Sequence, residues 1–463
     1  MSLTGRPARA SGPALRTDHY ELTMLEAAMA SGVATRQAVF EVFPRRLPAG
    51  RRYGVAAGLA RLVEAVEAFR FGPEELDALA ASGVVGAAGL GRLAEYRFDG
   101  SIDAYAEGEL YFPSSPVLTV EASFAEAVVL ETLVLSVLNH DSAVASAATR
   151  MTEAARARAV IEMGSRRTHE EAAVAAARAA YLAGFAATSN LEAGRRWGVP
   201  TTGTASHAFV LAHGSERAAF EAQVAAQGPG TTLLVDTFDI PTGIRTAVEV
   251  AGPGLGAVRI DSGNLAVEAR RARALLDALG AARTRIVVSG DLDEYGIDEL
   301  APEPIDAYGV GSKLVSGSGA PSAHFVYKLV AIADGPGGDL RPVGKRSAGK
   351  ANRGGRKVAW RVLDGEGRAV GEVVEIVGGG GASGGGVGGG GVGTAGPGVT
   401  ARPLQVRVME GGRAAPLPSL EEVRAHRASA VAELVPLARM MLAGPPALEV
   451  AFTVADELSG VTR

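Results

Sequence analysis

Polar residues capable of chemistry gather in seven short clusters, each directly after a short apolar run: GSRRT (164–168), TSN (188–190), GTASH (203–207), DTFD (236–239), RIDSGN (259–264), SGDLD (289–293) and GVGS (309–312). His207 is the strongest candidate among them. A histidine can act as base or nucleophile near neutral pH once a partner fixes its ring. Asp236, at the end of the next apolar run TLLVD, is the carboxylate placed to do this. A lone histidine is more often a core residue bonded to backbone, and its position after a strand is what singles this one out. Ser206 beside it does not make a serine hydrolase, because the G-x-S-x-G elbow is absent and adjacent side chains do not face each other.

Arg166 and Arg167 suit an anionic ligand, carboxylate or phosphate, although Glu162, Glu170 and Glu171 are near enough in sequence to pair with them instead. Arg259, Asp261 and Ser262 form R-x-D-S-G, and Asp291 and Asp293 lie in the next cluster. Carboxylates from two neighbouring strand ends can hold Mg²⁺ or ribose hydroxyls. Gly309, Gly311 and Ser312 form a glycine-rich turn of the kind whose backbone N–H groups cradle phosphate. G-x-x-x-x-G-K-[ST] is absent, which excludes a P-loop NTPase. Cations, carboxylates, a histidine and backbone donors together suit a phosphorylated sugar with Mg²⁺ better than an apolar substrate.

Positioning these clusters takes a repeated frame. From about residue 157 the pattern runs strand, polar turn, Ala-rich helix, about seven times, which predicts an irregular α/β barrel of about seven parallel strands. In such barrels the loops after the strands build the active site. The barrel domain is placed at 121–335, its first part (123–150) being one or two buried helices. Residues 14–120 are expected to form an α+β domain. It has a helix over 17–31 capped by Asp18, a strand over 37–45, and a helix over 52–70 with Leu59, Leu62, Val63, Val66 and Phe69 on one face. Residues 336–463 are expected to return to that domain and complete it. They include a strand at 372–377, a flexible Gly-rich loop at 378–398 and a helical piece at 417–443. Met1–Pro13 is read as a frayed tail without the apolar core of a signal peptide.

With 47% hydrophobic and 21% charged residues, the 463-residue chain has an ordinary globular composition that excludes disorder throughout. A formal net charge of −5 argues against general nucleic-acid binding. No run of about 18 apolar residues predicts a membrane span. The absence of cysteine excludes disulfides and thiolate chemistry and is compatible with the cytoplasm. Only five of the 46 basic residues are lysines, and all fall between Lys313 and Lys357. Phosphate binding is one demand that would keep a compact ammonium there; residual usage on a solvated loop is the other explanation.

Several of these motifs, in this order, resemble the nicotinate phosphoribosyltransferase family: TDHYELTM, EMGSRRTHEEAAVAAARAAYLAGFAATSN, GVPTTGTASHAFV, VDTFD, VRIDSGN and YGVGSKLV. The resemblance runs from about residue 14 to 360. It implies transfer of a phosphoribosyl group from 5-phosphoribosyl 1-pyrophosphate to nicotinate in NAD salvage, with Mg²⁺, and coupled to ATP through a phosphohistidine. His207 matches that histidine, and Asp236 resembles its orienting carboxylate. Arg166 matches the arginine near the pyridine carboxylate and the sugar phosphate. Tyr20 resembles the aromatic that stacks on the pyridine, supplied by the second subunit of a cytoplasmic homodimer. Arg259, Asp261, Ser262, Gly290, Asp291, Gly311 and Ser312 resemble the phosphoribosyl shell, with Asp261 and Asp291 as its metal carboxylates. Lys345, Lys350 and Lys357 resemble the basic loop that meets phosphate or ATP. Two departures stand out: Met163 replaces a frequent aromatic that would line the pyridine, and Asn264 replaces an aspartate after R-x-D-S-G. The competing readings are a nicotinamide phosphoribosyltransferase, a barrel lyase (disfavoured, since no lysine precedes residue 313) and a barrel binding protein without turnover.

Overall fold

A computed structural model describes residues 12–335, 337–345, 352–377 and 398–454. The rest of the N-terminal tail (1–11), Lys350 and nearly all of the Gly-rich segment lie outside the described residues. The chain divides into two compact units, one of Met1–Ser142, Ser322–Ala438 and Ala443–Arg463, the other of Ala143–Pro321 with Arg439–Leu442.

In the first unit, a seven-stranded sheet runs in the order Leu340–Pro342, Phe325–Ala333, Gln37–Pro44, Leu118–Ser123, Ser101–Tyr105, Gln405–Glu410, Arg413–Ala414, and every pairing is antiparallel. Phe325–Ala333 pairs with Gln37–Pro44, so the chain has returned to this unit by Ser322, earlier than the boundary at 335 read from the sequence. The strand expected over 37–45 is Gln37–Pro44, flanked on both sides and buried from Ala38 onward. The predicted helix at 17–31 is His19–Ser31. Asp18 holds its N-cap position, but its side chain makes no capping bond. The helix expected over 52–70 is shorter, Leu59–Glu67, and buries Leu59, Leu62, Val63 and Val66; Phe69 is buried just past its end. The region 123–150 is two helices, Phe124–Val128 and Glu131–Ala155. A further sheet of four strands contains Arg356–Leu363 and Ala369–Val377.

Charge buried in this unit joins the four-stranded sheet to the segment at Glu109 and Leu110. Arg361, fully buried, reaches Glu372 at 3.2 Å and the Leu110 carbonyl at 2.8 Å. Glu109 accepts from Arg402 at 2.6 Å and lies 3.1 Å from His426. Burial alone would raise the Glu109 proton affinity. Hydrogen bonds from His426 and Arg402 and the charges of Arg361 and Arg402 outweigh it and hold the carboxyl at about 2. A carboxyl depressed on folding stabilises the fold above its unfolded value and loses that contribution as pH falls through the folded one. The contribution is on the order of 3 kcal/mol and disappears between about pH 4.5 and 2. Glu109→Gln is therefore expected to lose about 3–5 kcal/mol at neutral pH and to flatten the acid limb of stability, which urea midpoints measured from pH 7 to pH 3 will check.

The second unit is built from one six-stranded parallel sheet in the order Ala187–Thr188, Ala159–Glu162, Ala307–Val310, Arg285–Ser289, Ala257–Ile260, Thr232–Leu234. A single parallel bridge, Thr188 to Thr201, adds a seventh crossing beyond Ala187–Thr188. The barrel of about seven strands is thus six strands and a bridge. No pairing closes Thr232–Leu234 onto Thr201 among the described residues. Val160, Leu233, Val258, Ile260, Ile286, Val288, Tyr308 and Val310 are buried along these strands; each such side chain contributes about 1.5–3 kcal/mol. The alanines of Glu170–Leu182 are buried from Ala173 on, which explains their run: small side chains let a helix lie close to the sheet. Asn190, Ser215, Asp239, Asn264 and Asp293 each cap the helix that follows with a side-chain oxygen. No described helix is long and apolar enough to cross a membrane.

Candidate active site

Every one of the seven polar clusters follows a C-terminal strand end or the Thr201 bridge of the second unit. A cleft of about 570 Å³ opens there, lined by Met163 and by residues from six of the clusters, among them Arg166, Arg167, Thr204, Arg259, Asp261, Gly290, Asp291, Gly311 and Ser312. The substrate residues expected on this face, Ser262 excepted, line one cavity. Tyr20 belongs to the first unit, where its ring is 43% exposed. Burial of its inner part and the neighbouring Glu131 and Glu21 hold its hydroxyl protonated.

His207 begins the helix His207–Ala212, and its Nε2 lies 3.0 Å from Asp236 Oδ1. The carboxylate of Asp236 has no exposed side-chain surface, whereas the imidazole is 43% exposed. The other Asp236 oxygen accepts the Asp261 N–H at 2.9 Å and the Ser262 hydroxyl at 2.7 Å. Ser262 is exposed, and its hydroxyl helps fix Asp236. An aspartate so held keeps the proton of His207 on Nε2 and leaves Nδ1 with a lone pair.

Arg259 is the hub of the opposite wall. Its Nε donates to Ser289 Oγ at 2.9 Å, one terminal nitrogen to Thr204 Oγ1 at 3.1 Å and the other to Asp261 Oδ1 at 3.0 Å. Ser289 also donates to Asp261. Three of its five N–H donors are engaged and two remain for an anion. Arg166 and Arg167 are exposed at the cleft and pair with no carboxylate among the described residues. Glu162, one of the partners considered for them, is buried instead and accepts from the Gly164 N–H and the Thr188 hydroxyl. Burial outweighs these bonds and raises its proton affinity. Gly164 cannot carry a side chain here, since a Cβ would lie 2.4 Å from Val315 Cγ1. Gly164→Ala is expected to cost about 1–3 kcal/mol and to move the arginine loop, read as a lower melting temperature with a raised KM for the anionic substrate.

Asp291 sits at φ 41° and Gly290 at φ 132°, so the loop after Arg285–Ser289 turns through a left-handed conformation that an aspartate tolerates better than most residues. The turn leaves the Asp291 carboxylate exposed at the cleft. Asp293, by contrast, caps Glu294–Leu300 through Tyr295 and Gly296 N–H, and Asn264 caps Leu265–Ala278 through Val267 N–H. Asparagine caps as well as aspartate, so the departure at 264 falls on a structural position. Met163 packs its Sδ and Cε against the bare Cα of Gly309: a Cβ there would meet them at 2.8 and 3.2 Å.

Among the described residues, the lysines of this window do not gather into one basic loop. Lys313 lies 3.9 Å from Asp293, and Lys328 lies 3.6 Å from Glu131. Lys357 is buried, with its ammonium bonded to Glu41 at 2.8 Å, the Arg353 carbonyl at 2.9 Å and the Gly355 carbonyl at 3.2 Å. All three donors are spent, which corrects its expected role toward phosphate. Lys345 is exposed. Sequence reasoning did not single out Thr204 and Ser289, and it read Glu162 only as a partner for the arginines. The first two lay inside the clusters already singled out, and the third was an acid closing an apolar strand, a position that signals a buried carboxylate.

A curled parallel sheet with cations, carboxylates and a paired histidine at its strand ends defines an α/β enzyme for anionic, phosphorylated ligands. Comparison with known proteins narrows this. A family model described as the nicotinate phosphoribosyltransferase N-terminal domain matches residues 15–139. The chain is 59% identical over 379 residues to a nicotinate phosphoribosyltransferase of Mycobacterium tuberculosis, covering 80% of this chain and 82% of that one. It is 36% identical over 360 residues to the Bacillus subtilis nicotinate phosphoribosyltransferase, covering 76% and 73%. The crystal structure of human nicotinic acid phosphoribosyltransferase superposes with a TM-score of 0.79 at 26% identity, over 96% of this chain and 98% of that one. The chain belongs to the nicotinate phosphoribosyltransferase family.

Proposed function

We propose that this protein joins nicotinate to 5-phosphoribosyl 1-pyrophosphate, giving nicotinate mononucleotide and pyrophosphate in NAD salvage, and couples the reaction to ATP hydrolysis through a phosphate on His207. The observation that carries the choice of nicotinate is the unpaired Arg166 and Arg167 at the cleft. A pyridine carboxylate answers them, whereas the neutral amide of nicotinamide does not. In the transfer, the C1–O bond to pyrophosphate breaks with its electrons and the pyridine nitrogen bonds to C1. Negative charge grows on the leaving diphosphate, where the spare donors of Arg259 and the backbone N–H groups near Gly311 and Ser312 supply positive potential. Met163 offers a polarisable thioether to the pyridine face.

Asp261 and Asp291 are the carboxylates that would hold Mg²⁺. No group of three metal-type ligands occurs among the described residues, which suits an ion carried mainly by diphosphate oxygens and water with one or two carboxylates. When bound, Mg²⁺ neutralises the leaving diphosphate. For the ATP half-reaction, the Nδ1 lone pair of His207 attacks the γ-phosphorus, the bond to ADP breaks and ADP departs with the electron pair. Asp236 retains the Nε2 proton and offsets the positive charge of the ring. Water later takes the phosphoryl group as phosphate. The added charge beside the cleft shifts substrate affinity. Lys345 is the exposed described lysine of the basic segment left for a phosphate. The enzyme acts as a cytoplasmic homodimer in which Tyr20 of one subunit stacks on the pyridine bound by the other.

Incubation with γ-labelled ATP tests the coupling. The expected result is acid-labile, base-stable label on the peptide carrying His207 and none in His207→Asn. Label elsewhere, or none, would overturn it.

A further inference from the structure

We propose that Asn190 is a positioning residue for the Arg166–Arg167 loop, holding the two guanidinium groups in place for an anionic base and so setting nicotinate affinity without touching the substrate. This rests on the reading of the arginine pair given above. Asn190 lies two residues past the strand Ala187–Thr188 and caps the helix Leu191–Trp197. Its Oδ1 accepts the Ala193 N–H at 2.9 Å, which fixes the orientation of the amide and leaves Nδ2 for another partner. That partner is Ser165 Oγ at 3.0 Å, on the residue directly before Arg166. The Asn190 N–H donates to Thr188 Oγ1 at 2.9 Å, and the Thr188 hydroxyl donates to Glu162. Glu162 also accepts the Gly164 N–H, which closes a ring of hydrogen bonds back onto the arginine loop.

The ring joins two neighbouring strand ends. Glu162 and Thr188 are register partners on parallel strands, and both are buried. Their bond is shielded from water, and Glu162 meets no cation among the described residues. A carboxylate buried without a cation is costly and persists where its acceptors are needed. Within the loop, the Arg167 N–H donates to the Gly164 carbonyl at 2.8 Å, a turn that sets the curl of the loop but not its place over the sheet. Arg166 and Arg167 are exposed at the cleft and pair with no carboxylate among the described residues, so the backbone decides where their charge stands. The bond from Asn190 to Ser165 ties that backbone to the next strand end. Without it the guanidinium groups spread over more positions and capture a carboxylate less often. The contacts of Arg259 lie elsewhere in the cleft and are unaffected. The loss therefore falls on binding of the base and not on the transfer step.

The test measures kcat and the KM for nicotinate in Asn190→Ser, Ser165→Ala, the two combined, Thr188→Val and Thr188→Ser. Serine caps a helix as well as asparagine, but its hydroxyl ends one bond short of Nδ2, so Asn190→Ser removes the link to Ser165 and keeps the cap. Its KM for nicotinate is expected to rise about tenfold, with kcat within about twofold and a melting temperature close to that of the wild type. Ser165→Ala should give a similar rise. The combined variant should show no more than the larger single effect, because both substitutions break the same bond. Thr188→Val keeps the buried shape, opens the ring and should raise KM likewise, while Thr188→Ser should keep the wild-type KM. An unchanged KM in Asn190→Ser would overturn the proposal, as would additive effects in the combined variant or a fall in kcat at unchanged KM. If Thr188→Val does not fold, the cycle of Asn190→Ser and Ser165→Ala decides alone. Joint replacement of Arg166→Ala and Arg167→Ala separates the two levels. If it leaves the KM for nicotinate unchanged, the arginine reading fails and this inference with it; if it raises KM and Asn190→Ser does not, this inference alone fails.

Discussion

Arg259→Ala is expected to lower kcat/KM for nucleotide formation by about 10²–10³-fold with a melting temperature close to that of the wild type. The guanidinium is only partly buried and holds Thr204, Asp261 and Ser289 together at the cleft wall. Its removal takes away two free donors to an anion and leaves the Asp261 carboxylate facing that anion unopposed. Both effects grow as charge moves onto the leaving diphosphate, so kcat should fall along with kcat/KM. Arg259→Lys should recover little, because one ammonium cannot reproduce a fork that spans three partners. Initial rates of the purified variants, with melting curves as a control, will check this. A KM rise with unchanged kcat would mean that Arg259 only binds the ground state.

The second large effect is expected at His207. In His207→Ala, the rates with and without ATP should become equal, which at low phosphoribosyl pyrophosphate means a loss of about 10–100-fold relative to wild type with ATP. Asp236→Asn should give much the same result. The amide can still meet Nε2, but it reverses the donor and acceptor roles and favours the tautomer that places the proton on Nδ1. The pair is well suited to this test because Asp236 is held on its other side by Asp261 N–H and Ser262, so the substitution leaves the loop tied.

Much of this site was legible in the sequence because its punctuation is local. A short apolar run, a polar turn and a helix recur within about 30 residues, and the turn residues fall at strand ends whatever the strand count. That is why the cleft holds the residues expected of it although the sheet has six strands and a bridge. What stayed hidden depends on distance along the chain. Arg259 finds Thr204 across 55 residues and Ser289 across 30, and no pattern in either segment announces the pairing. Lys357 looked like a phosphate ligand because it stood in a basic segment, yet Glu41, 316 residues away, claims it. Asn264 stood out as a departure from an aspartate after R-x-D-S-G, but a helix begins directly after it and the asparagine serves as its cap. Asp18 shows the opposite case: the cap position was right, and the bond is not made.

The most direct measurement is product formation by the purified protein from phosphoribosyl pyrophosphate, Mg²⁺ and ATP, with nicotinate in one tube and nicotinamide in another, followed by mass spectrometry. The unpaired Arg166 and Arg167 predict nicotinate mononucleotide from the first and at most a trace of nucleotide from the second. Product from nicotinamide alone would assign the arginine pair another purpose. No product from either base would contradict the account at its centre, leaving the cleft as the binding site of a different anionic ligand.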